Sequence, residues 1–191
     1  LSYLSLVRKY LSKYKISKYK IILEPYKKNT APAILSCALL KEVSYEQPMI
    51  FFPADHLIEK TNQFNKSINL NKKYLNEDNV FIFGIKPNSP SSQYGYFLTR
   101  KISKNINKVI KFIEKPKINN AKKILKKKGY WNSGILFARK DSIINNFKKY
   151  QFKTLNLCTH SINKSKKSKN VYRLNKKSYK KIQEKSFDLA I

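Results

Sequence analysis

The chain has 191 residues, is 41% hydrophobic and carries 41 Lys and Arg against 11 Asp and Glu, a formal net charge of +30. A chain of this length can bury a core of its own, and its repeated apolar runs exclude a disordered polyelectrolyte despite the charge. No run approaches the ~18 apolar residues of a membrane span, so neither a membrane protein nor a membrane partner is expected.

The positive charge is almost entirely lysine, scattered among many Asn and Ile residues, a composition that AT-rich coding sequences produce. Most aromatic residues lie in apolar, strand-like runs, which is typical of a core more than of base stacking. Nucleic acid is therefore not expected as a partner, although a basic nucleic-acid-binding protein stays open as a third hypothesis. The two cysteines, Cys37 and Cys158, form no CxxC pair, which favours a reduced, cytoplasmic protein.

In chain order, helical and strand patterns alternate, which predicts an α/β fold with a mostly parallel, doubly wound sheet flanked by helices. Thr30 is expected to cap the second helix, with Pro32 in its first turn. The stretch 151–169 is predicted to be a loop. The other predicted helices span 4–19, 63–74, 119–127, 141–149 and 176–190, and the predicted strands span 20–23, 49–52, 79–86, 96–101, 109–114 and 134–139.

Asp55 is the first candidate site residue, because a buried strand ends just before it. Met49 to Phe52 is an apolar run, and Pro53 lacks the amide donor that would continue a strand. Ligands of open α/β sheets bind at the carboxyl ends of strands. A carboxylate there suits Mg²⁺, which keeps waters and uses one or two carboxylates plus substrate phosphates. The simpler alternative is a turn former or a helix N-cap.

Five segments in a fixed order resemble one family, the mannose-1-phosphate guanylyltransferases (GDP-mannose pyrophosphorylases) of the sugar nucleotidyltransferase superfamily. They are IILEPYKKNTAPA at 21–33, PADH at 53–56, FGIKP at 83–87 with the following YGY, FIEKP at 112–116 and YWNSGILF at 130–137. SFDLAI at 186–191 looks like a diverged copy of a later family segment. The resemblance implies a Rossmann-like, nucleotide-diphospho-sugar transferase domain. It also implies Mg²⁺ as cofactor and transfer of GMP from GTP to mannose-1-phosphate, giving GDP-mannose and pyrophosphate.

The resemblance places the first segment beside the nucleotide base. A carboxylate at Glu24 can accept hydrogen bonds from the N1–H and the 2-amino group of guanine, a pair of donors that adenine does not offer. Asn29 and Thr30 are implied as further nucleotide contacts. Lys28 stands where the family usually has an arginine, so a bidentate fork becomes a point charge. The alternative for Glu24 is an exposed charge at a strand end.

The later segments are implied to bind the sugar phosphate. Gly95 lets the backbone approach a ligand closely, unless it is a simple turn glycine. Glu114 suits mannose hydroxyls and Lys115 suits the phosphate, provided that the strand breaks at Pro116 so that both side chains reach one pocket. The Asn132 amide can donate to and accept from sugar hydroxyls. The aspartate at 55 is implied to be both the catalytic and the metal-binding residue.

Two further family segments have no match among these residues. Family members open with a glycine-rich loop of the form LAGGxGTRLWP, whereas the chain has four separate glycines, and a WSDxG segment carries a second metal-binding aspartate. We therefore expect residues 1–191 to be a partial nucleotidyltransferase domain, without the first strand and the nucleotide loop, in which guanylyl transfer is impaired. An inactive remnant that keeps only part of the sugar-phosphate site is the alternative, and a homo-oligomer is left open.

Overall fold

The computed structural model describes residues 2–103 and 106–191. The helices are α1 Ser2–Lys13, α2 Thr30–Ala38, α3 Thr61–Asn71, α4 Ile118–Lys126, α5 Lys140–Tyr150, α6 Phe152–Asn163, α7 Lys176–Lys180 and α8 Phe187–Ala190. The strands are β1 Ile21–Leu23, β2 Pro48–Phe51, β3 Val80–Ile85, β4 Tyr96–Lys101, β5 Asn107–Ile113, β6 Tyr130–Arg139, β7 Lys166–Ser168 and β8 Val171–Arg173. No helix in the described ranges is long and apolar enough to cross a membrane.

The chain divides into two compact units. Unit 1 comprises Leu1–Ser44 and Ile144–Ile191, and unit 2 comprises Tyr45–Ile143. In unit 1, β1 pairs in parallel with β8, and β8 pairs antiparallel with β7. The core of unit 1 includes Leu35 of α2, Cys158 of α6 and Tyr179 of α7, all of them buried.

Unit 2 is built around β6. This strand pairs antiparallel with β3 along one edge, and with β2 and β4 along the other, while β5 continues the sheet beyond β4. Buried apolar residues of β6 and β4 supply much of its core. Tyr96 packs with Ala121 and Ile124 of α4 in a cluster of its own.

The α/β class with sheets flanked by helices is confirmed, but the expectation of mostly parallel pairing is wrong for the described residues. There, β1 and β8 form the one parallel pair. The alternation of strands and helices correctly predicts that β2 and β3 run in the same direction. It does not reveal that β6, running the opposite way, lies between them.

Two helix termini differ from the sequence prediction for local reasons. Helix α1 ends at Lys13 because Lys15 adopts a left-handed φ of 53° and the Ile16 amide donates to the Leu11 carbonyl at 2.9 Å, which closes the helix. Helix α2 is capped by Asn29, whose Oδ1 accepts from the Thr30 amide at 2.8 Å. Asn29, and not the following threonine, is therefore the N-cap.

The prediction of a loop over 151–169 is also wrong, because most of it forms α6. The chain at 176–190, predicted as one helix, is instead interrupted between α7 and α8. The Lys185 amide donates to the Lys28 carbonyl, and the Ala31 amide donates to the Lys185 carbonyl, each at 3.2 Å. Those backbone bonds replace the ones that a continuous helix would make.

Candidate substrate site

A cavity of about 550 Å³ opens in unit 2 beside the end of β2. Its walls come from separate parts of the chain: Asp55 and His56 after β2, Phe64 of α3, Tyr94 before β4, and the 131–133 segment of β6. Strand β2 ends at Phe51, and the chain then turns at Asp55. A large cavity with a few polar groups in its walls is the usual form of a small-molecule site.

Asp55 lies in the wall of this cavity as an exposed carboxylate. Its side chain is 88% exposed, and its Oδ1 lies 3.9 Å from His56 Nε2. The aspartate is not a helix cap, since Lys60 occupies the N-cap position of α3. It does occupy a turn, as the simpler interpretation expects, and its role as a metal ligand remains a prediction.

The described residues include no group of three or more His, Cys, Asp or Glu side chains that could hold a metal ion. A resident, fully protein-ligated metal therefore does not fit them. Mg²⁺ fits differently, because it keeps several waters and is commonly held by one or two carboxylates together with substrate phosphates. The exposed carboxylate of Asp55 suits that mode of binding.

Three predicted sugar-side residues meet next to the cavity. The backbone amide of Asn132 donates to the Gly95 carbonyl at 2.8 Å, and Asn132 also lines the cavity. A Cβ built on Gly95 would lie 3.0 Å from Oε2 of Glu114, so the glycine leaves room for that carboxylate. The Asn132 side chain accepts from the amide of Gly134, whose φ of 69° requires glycine or a strained residue. Residues far apart in sequence are thus brought into contact.

Lys115, which follows Glu114 in the chain, has an unusual backbone conformation. Strand β5 ends at Ile113, and Lys115 adopts a φ of 38°, in the left-handed region, just before the buried Pro116. The strand therefore ends before Pro116, but neither Glu114 nor Lys115 is among the described residues that line the cavity, so their shared pocket remains a prediction. Non-glycine residues with positive φ are uncommon and concentrate at functional sites.

An aromatic wall is the part of the site that sequence reasoning missed. The rings of Tyr94 and Trp131 lie 4.9 Å apart between centroids, and both residues line the cavity. Trp131 Nε1 is buried and has no hydrogen-bond partner among the described residues. None of Trp131, Tyr94 and Phe64 was among the predicted site residues. The aromatic residues that flank Gly95 in the YGY segment were the signal that could have indicated this wall.

The three predicted nucleotide residues lie in unit 1, and each has a partner within its own chain. The Tyr179 hydroxyl donates to the Glu24 carboxylate. Asn29 caps α2, and Thr30 Oγ1 accepts from the Phe187 amide at 2.9 Å. The roles predicted for these residues remain predictions.

The surroundings of Glu24 change the protonation of several groups. Although the residue is exposed as a whole, loss of water around its carboxyl raises the pKa of Glu24, and the hydrogen bond from Tyr179 partly offsets this rise. Burial, together with the carboxylate, raises the pKa of Tyr179. Burial also raises the pKa of Cys37 to about 11 and that of Cys158 to about 12, so both thiols stay protonated.

Comparison with known proteins defines the class of protein to which the chain belongs. The family model described as "Nucleotidyl transferase" matches residues 3–179. The chain therefore belongs to the nucleotidyl transferase family, a family of enzymes.

Among curated proteins, the chain is similar to a mannose-1-phosphate guanylyltransferase of Escherichia coli, with 30% identity over 90% of this chain and 39% of that protein. It is also similar to the alginate biosynthesis protein AlgA of Pseudomonas fluorescens, with 26% identity over 97% of this chain and 40% of that protein. The chain thus spans about two fifths of the length of these relatives.

Two solved structures share the fold. One is titled mannose-6-phosphate isomerase from Helicobacter pylori, with a TM-score of 0.82 and 28% identity, covering 99% of this chain and 74% of that one. The other is titled mannose-1-phosphate geranyltransferase and comes from Thermus thermophilus, with a TM-score of 0.79, covering 96% of this chain and 52% of that one. The second is 19% identical and shows the fold alone.

Proposed function

We propose that the chain serves the transfer of GMP from GTP to mannose-1-phosphate, which gives GDP-mannose and pyrophosphate. The observation that carries the proposal is the meeting of Asp55, Gly95, Glu114 and Asn132 in and beside one cavity of unit 2. These residues come from four segments that resemble the same family. The similarity to the E. coli guanylyltransferase supports mannose-1-phosphate as the sugar substrate.

In this reaction a phosphate oxygen of mannose-1-phosphate attacks the α-phosphorus of GTP. The bond from that phosphorus to the β-phosphate oxygen breaks, and pyrophosphate leaves with its electron pair. No covalent intermediate is needed, so positioning and charge neutralisation carry the catalysis. Glu114 and Asn132 would hold the sugar hydroxyls, and Lys115 would hold the sugar phosphate. Mg²⁺ at Asp55, when bound, would neutralise phosphate charge.

For the nucleotide, we propose Glu24 as the acceptor for guanine, with Asn29 and Thr30 beside it. The Glu24 carboxylate has one known occupant, the Tyr179 hydroxyl. A carboxylate oxygen can accept more than one hydrogen bond, so guanine does not have to displace the tyrosine completely. Because its pKa is raised, the Glu24 carboxyl stays protonated to higher pH, and a protonated carboxyl is a poorer acceptor for the guanine donors. Guanine binding should therefore tighten as the pH rises and the carboxyl ionises.

Calorimetric titration of the chain with mannose-1-phosphate tests the sugar half of the proposal. We expect saturable binding of mannose-1-phosphate, with weaker binding of mannose and of mannose-6-phosphate. If mannose-6-phosphate bound as tightly, the phosphate position would not be recognised and the proposal would fail. Equal binding of mannose would contradict a phosphate contact at Lys115.

The metal and the nucleotide need separate measurements. We expect Mg²⁺ to strengthen binding of GDP-mannose, and Asp55→Asn to remove that gain while leaving the circular dichroism spectrum unchanged, since the amide keeps the shape and loses the charge. Pyrophosphate release with GTP, Mg²⁺ and mannose-1-phosphate reports turnover. A Mg²⁺ effect that survived Asp55→Asn would remove Asp55 from the metal site.

A further inference from the structure

Strand β6 contains a bulge in the middle of the candidate substrate site. Its pairing with β3 aligns Asn132 with Gly84, and Leu136 with Ile82. Between these two pairs β6 has three residues and β3 has one, so β6 carries two residues more than its partner there. A bulge of this kind bends a strand and changes the direction of its side chains, and bulges are common beside binding sites.

The bulge changes which residues of β6 line the cavity. In a regular strand, side chains alternate between the two faces of the sheet, so neighbouring residues belong to opposite faces. Asn132, Ser133 and Ile135 nevertheless all line the cavity of the candidate substrate site. Gly134 is not among the described residues that line it. Two consecutive polar residues of one strand therefore reach the same wall, which regular alternation would prevent.

Gly134 is the residue at which the backbone departs from a strand. Its φ of 69° lies in the left-handed region, and it is the one glycine with a positive φ among the described residues. Glycine adopts such a φ without cost, whereas a Cβ makes it unfavourable. A Cβ built on Gly134 would also lie 3.2 Å from Cγ of Pro53, in the segment that leads to Asp55. A side chain at 134 is thus disfavoured by the backbone and by a close neighbour.

Two hydrogen bonds hold the bulge. The Gly134 amide donates to Asn132 Oδ1 at 3.0 Å, and the Ile135 amide donates to Ser133 Oγ at 3.2 Å. A backbone amide can only donate, so the oxygen end of the Asn132 side chain must face Gly134. The orientation of the proposed sugar-binding amide is therefore set by the backbone of Gly134.

We propose that Gly134 is a positioning residue of the candidate substrate site. Its left-handed backbone holds the bulge that brings Asn132 and Ser133 to one wall, and its amide orients the Asn132 side chain. Gly134 acts through these neighbours and not by contact with the substrate. The effect expected on mannose-1-phosphate binding rests on the proposed function, whereas the effect expected on the Asn132 side chain does not.

Three glycine variants separate positioning from a loss of stability. Asparagine adopts a positive φ more readily than alanine does. Calorimetry should therefore show mannose-1-phosphate binding about tenfold weaker in Gly134→Ala, and within about threefold of the unaltered chain in Gly134→Asn. Gly129 has no positive φ, but a Cβ there would lie 2.4 Å from Ile124 Cγ2. Gly129→Ala should thus lower the midpoint of urea denaturation and leave the Kd unchanged.

The outcomes that contradict a positioning role are specific. Unchanged binding in Gly134→Ala would show that the glycine is merely structural. An equal loss in Gly134→Ala and Gly134→Asn would show that the left-handed backbone is not what matters. An equal loss in Gly129→Ala would show that binding only follows stability. Each of these results would overturn the inference.

NMR without any ligand tests the same role independently of the proposed function. The side-chain NH₂ signals of Asn132 are assigned by their loss in Asn132→Ala, in which the Gly134 amide proton should also exchange faster with solvent. Gly134→Ala should shift the Asn132 signals, Gly134→Asn should shift them less, and Gly129→Ala should leave them in place. Unmoved signals in Gly134→Ala would overturn the positioning role. If these shifts occurred but the unaltered chain did not bind mannose-1-phosphate, the proposed function would fail and the positioning role would stand.

Discussion

The predicted residues of unit 1 and Asp55 of unit 2 stand in contrasting environments. In unit 1, Glu24, Asn29 and Thr30 each make a hydrogen bond within the chain, to Tyr179, to the start of α2 and to Phe187. In unit 2, Asp55 is largely exposed in the wall of a cavity. The proposed nucleotide residues therefore already support the fold, whereas the proposed metal ligand has no comparable structural task.

This difference separates two kinds of polar residue. A side chain that satisfies a buried partner is needed for stability, and a substitution there changes the fold and any ligand contact together. An exposed carboxylate in a cavity contributes little to stability, so its substitution reports function more directly. Substitutions in the two units should therefore have different effects, on stability in unit 1 and on binding in unit 2.

The largest effect on stability should come from the hydrogen bond between Tyr179 and Glu24. Tyr179→Phe keeps the fully buried ring and removes the hydroxyl that donates to Glu24. Loss of a hydrogen bond to a charged group should lower the free energy of unfolding by about 1.5–3 kcal/mol at pH 7, measured by urea denaturation. Tyr10→Phe, at a residue that is 52% exposed, should change it by less than about 0.5 kcal/mol. Equal effects of the two variants would remove the contrast.

In unit 2, by contrast, replacing Lys115 should weaken the binding of mannose-1-phosphate without lowering stability. An ammonium about 4 Å from a phosphate gains about 4 kcal/mol at an effective dielectric near 20, and exposure of Lys115 reduces this gain. Lys115→Ala should therefore weaken mannose-1-phosphate binding about tenfold, or about 1.4 kcal/mol, in calorimetry. Lys117→Ala, two residues further on and also exposed, is the matched control and should change it by less than twofold. A similar loss in both variants would indicate general charge attraction.

Unit 1 also offers two carboxylates whose pKa values shift in opposite directions. Hydrogen bonds from Tyr172 and Lys20 lower the pKa of Glu42 to about 2, so its contribution to stability is present above 4.5 and is lost as the pH falls toward 2. Loss of water raises the pKa of Glu24, so its contribution is full below 4.5 and is lost as the pH rises.

Urea denaturation between pH 3 and pH 8 should show these opposite slopes. Glu42→Gln should lower the free energy of unfolding by up to about 1 kcal/mol at pH 7, because the ion pair between Lys20 and Glu42 is exposed. The loss should be smaller at acidic pH. Glu24→Gln should gain stability relative to the unaltered chain as the pH rises above 4.5. Parallel pH profiles for the two variants would show that Glu24 is not desolvated.

The sequence predicted the elements that carry strong local patterns. Strand β4 was predicted with the bounds that the structure has, because a run of residues that favour strands, Tyr96 to Thr99, follows Gly95 directly. Helix α6 was missed, since its Thr, Asn, His and Ser residues have weak helix propensity. Its stability comes instead from burying Cys158 and Ile162, with Ser161, in unit 1.

The candidate site divides in the same way. Asp55 and Asn132 could be found from short segments, since each lies where a strand ends or bends. The bond between Glu24 and Tyr179 joins residues 155 positions apart, and no local pattern reports a contact of that kind. The pairing of β6 between β2 and β3 is another long-range feature, and it brings Asn132 to the wall of the cavity that Asp55 also lines.

The smallest predicted effect concerns Gly95, where unit 2 is most closely packed around the site. In Gly95→Ala the new Cβ would lie 3.0 Å from both Glu114 Oε2 and a ring atom of Phe112, so each must move by a few tenths of an ångström. Mannose-1-phosphate binding should weaken about two- to threefold, a shift well below 1 kcal/mol. Glu114→Asp withdraws the carboxylate by one methylene, so Gly95→Ala should add little to the loss in that background. Losses that simply add in the double variant would show that Gly95 does not position Glu114.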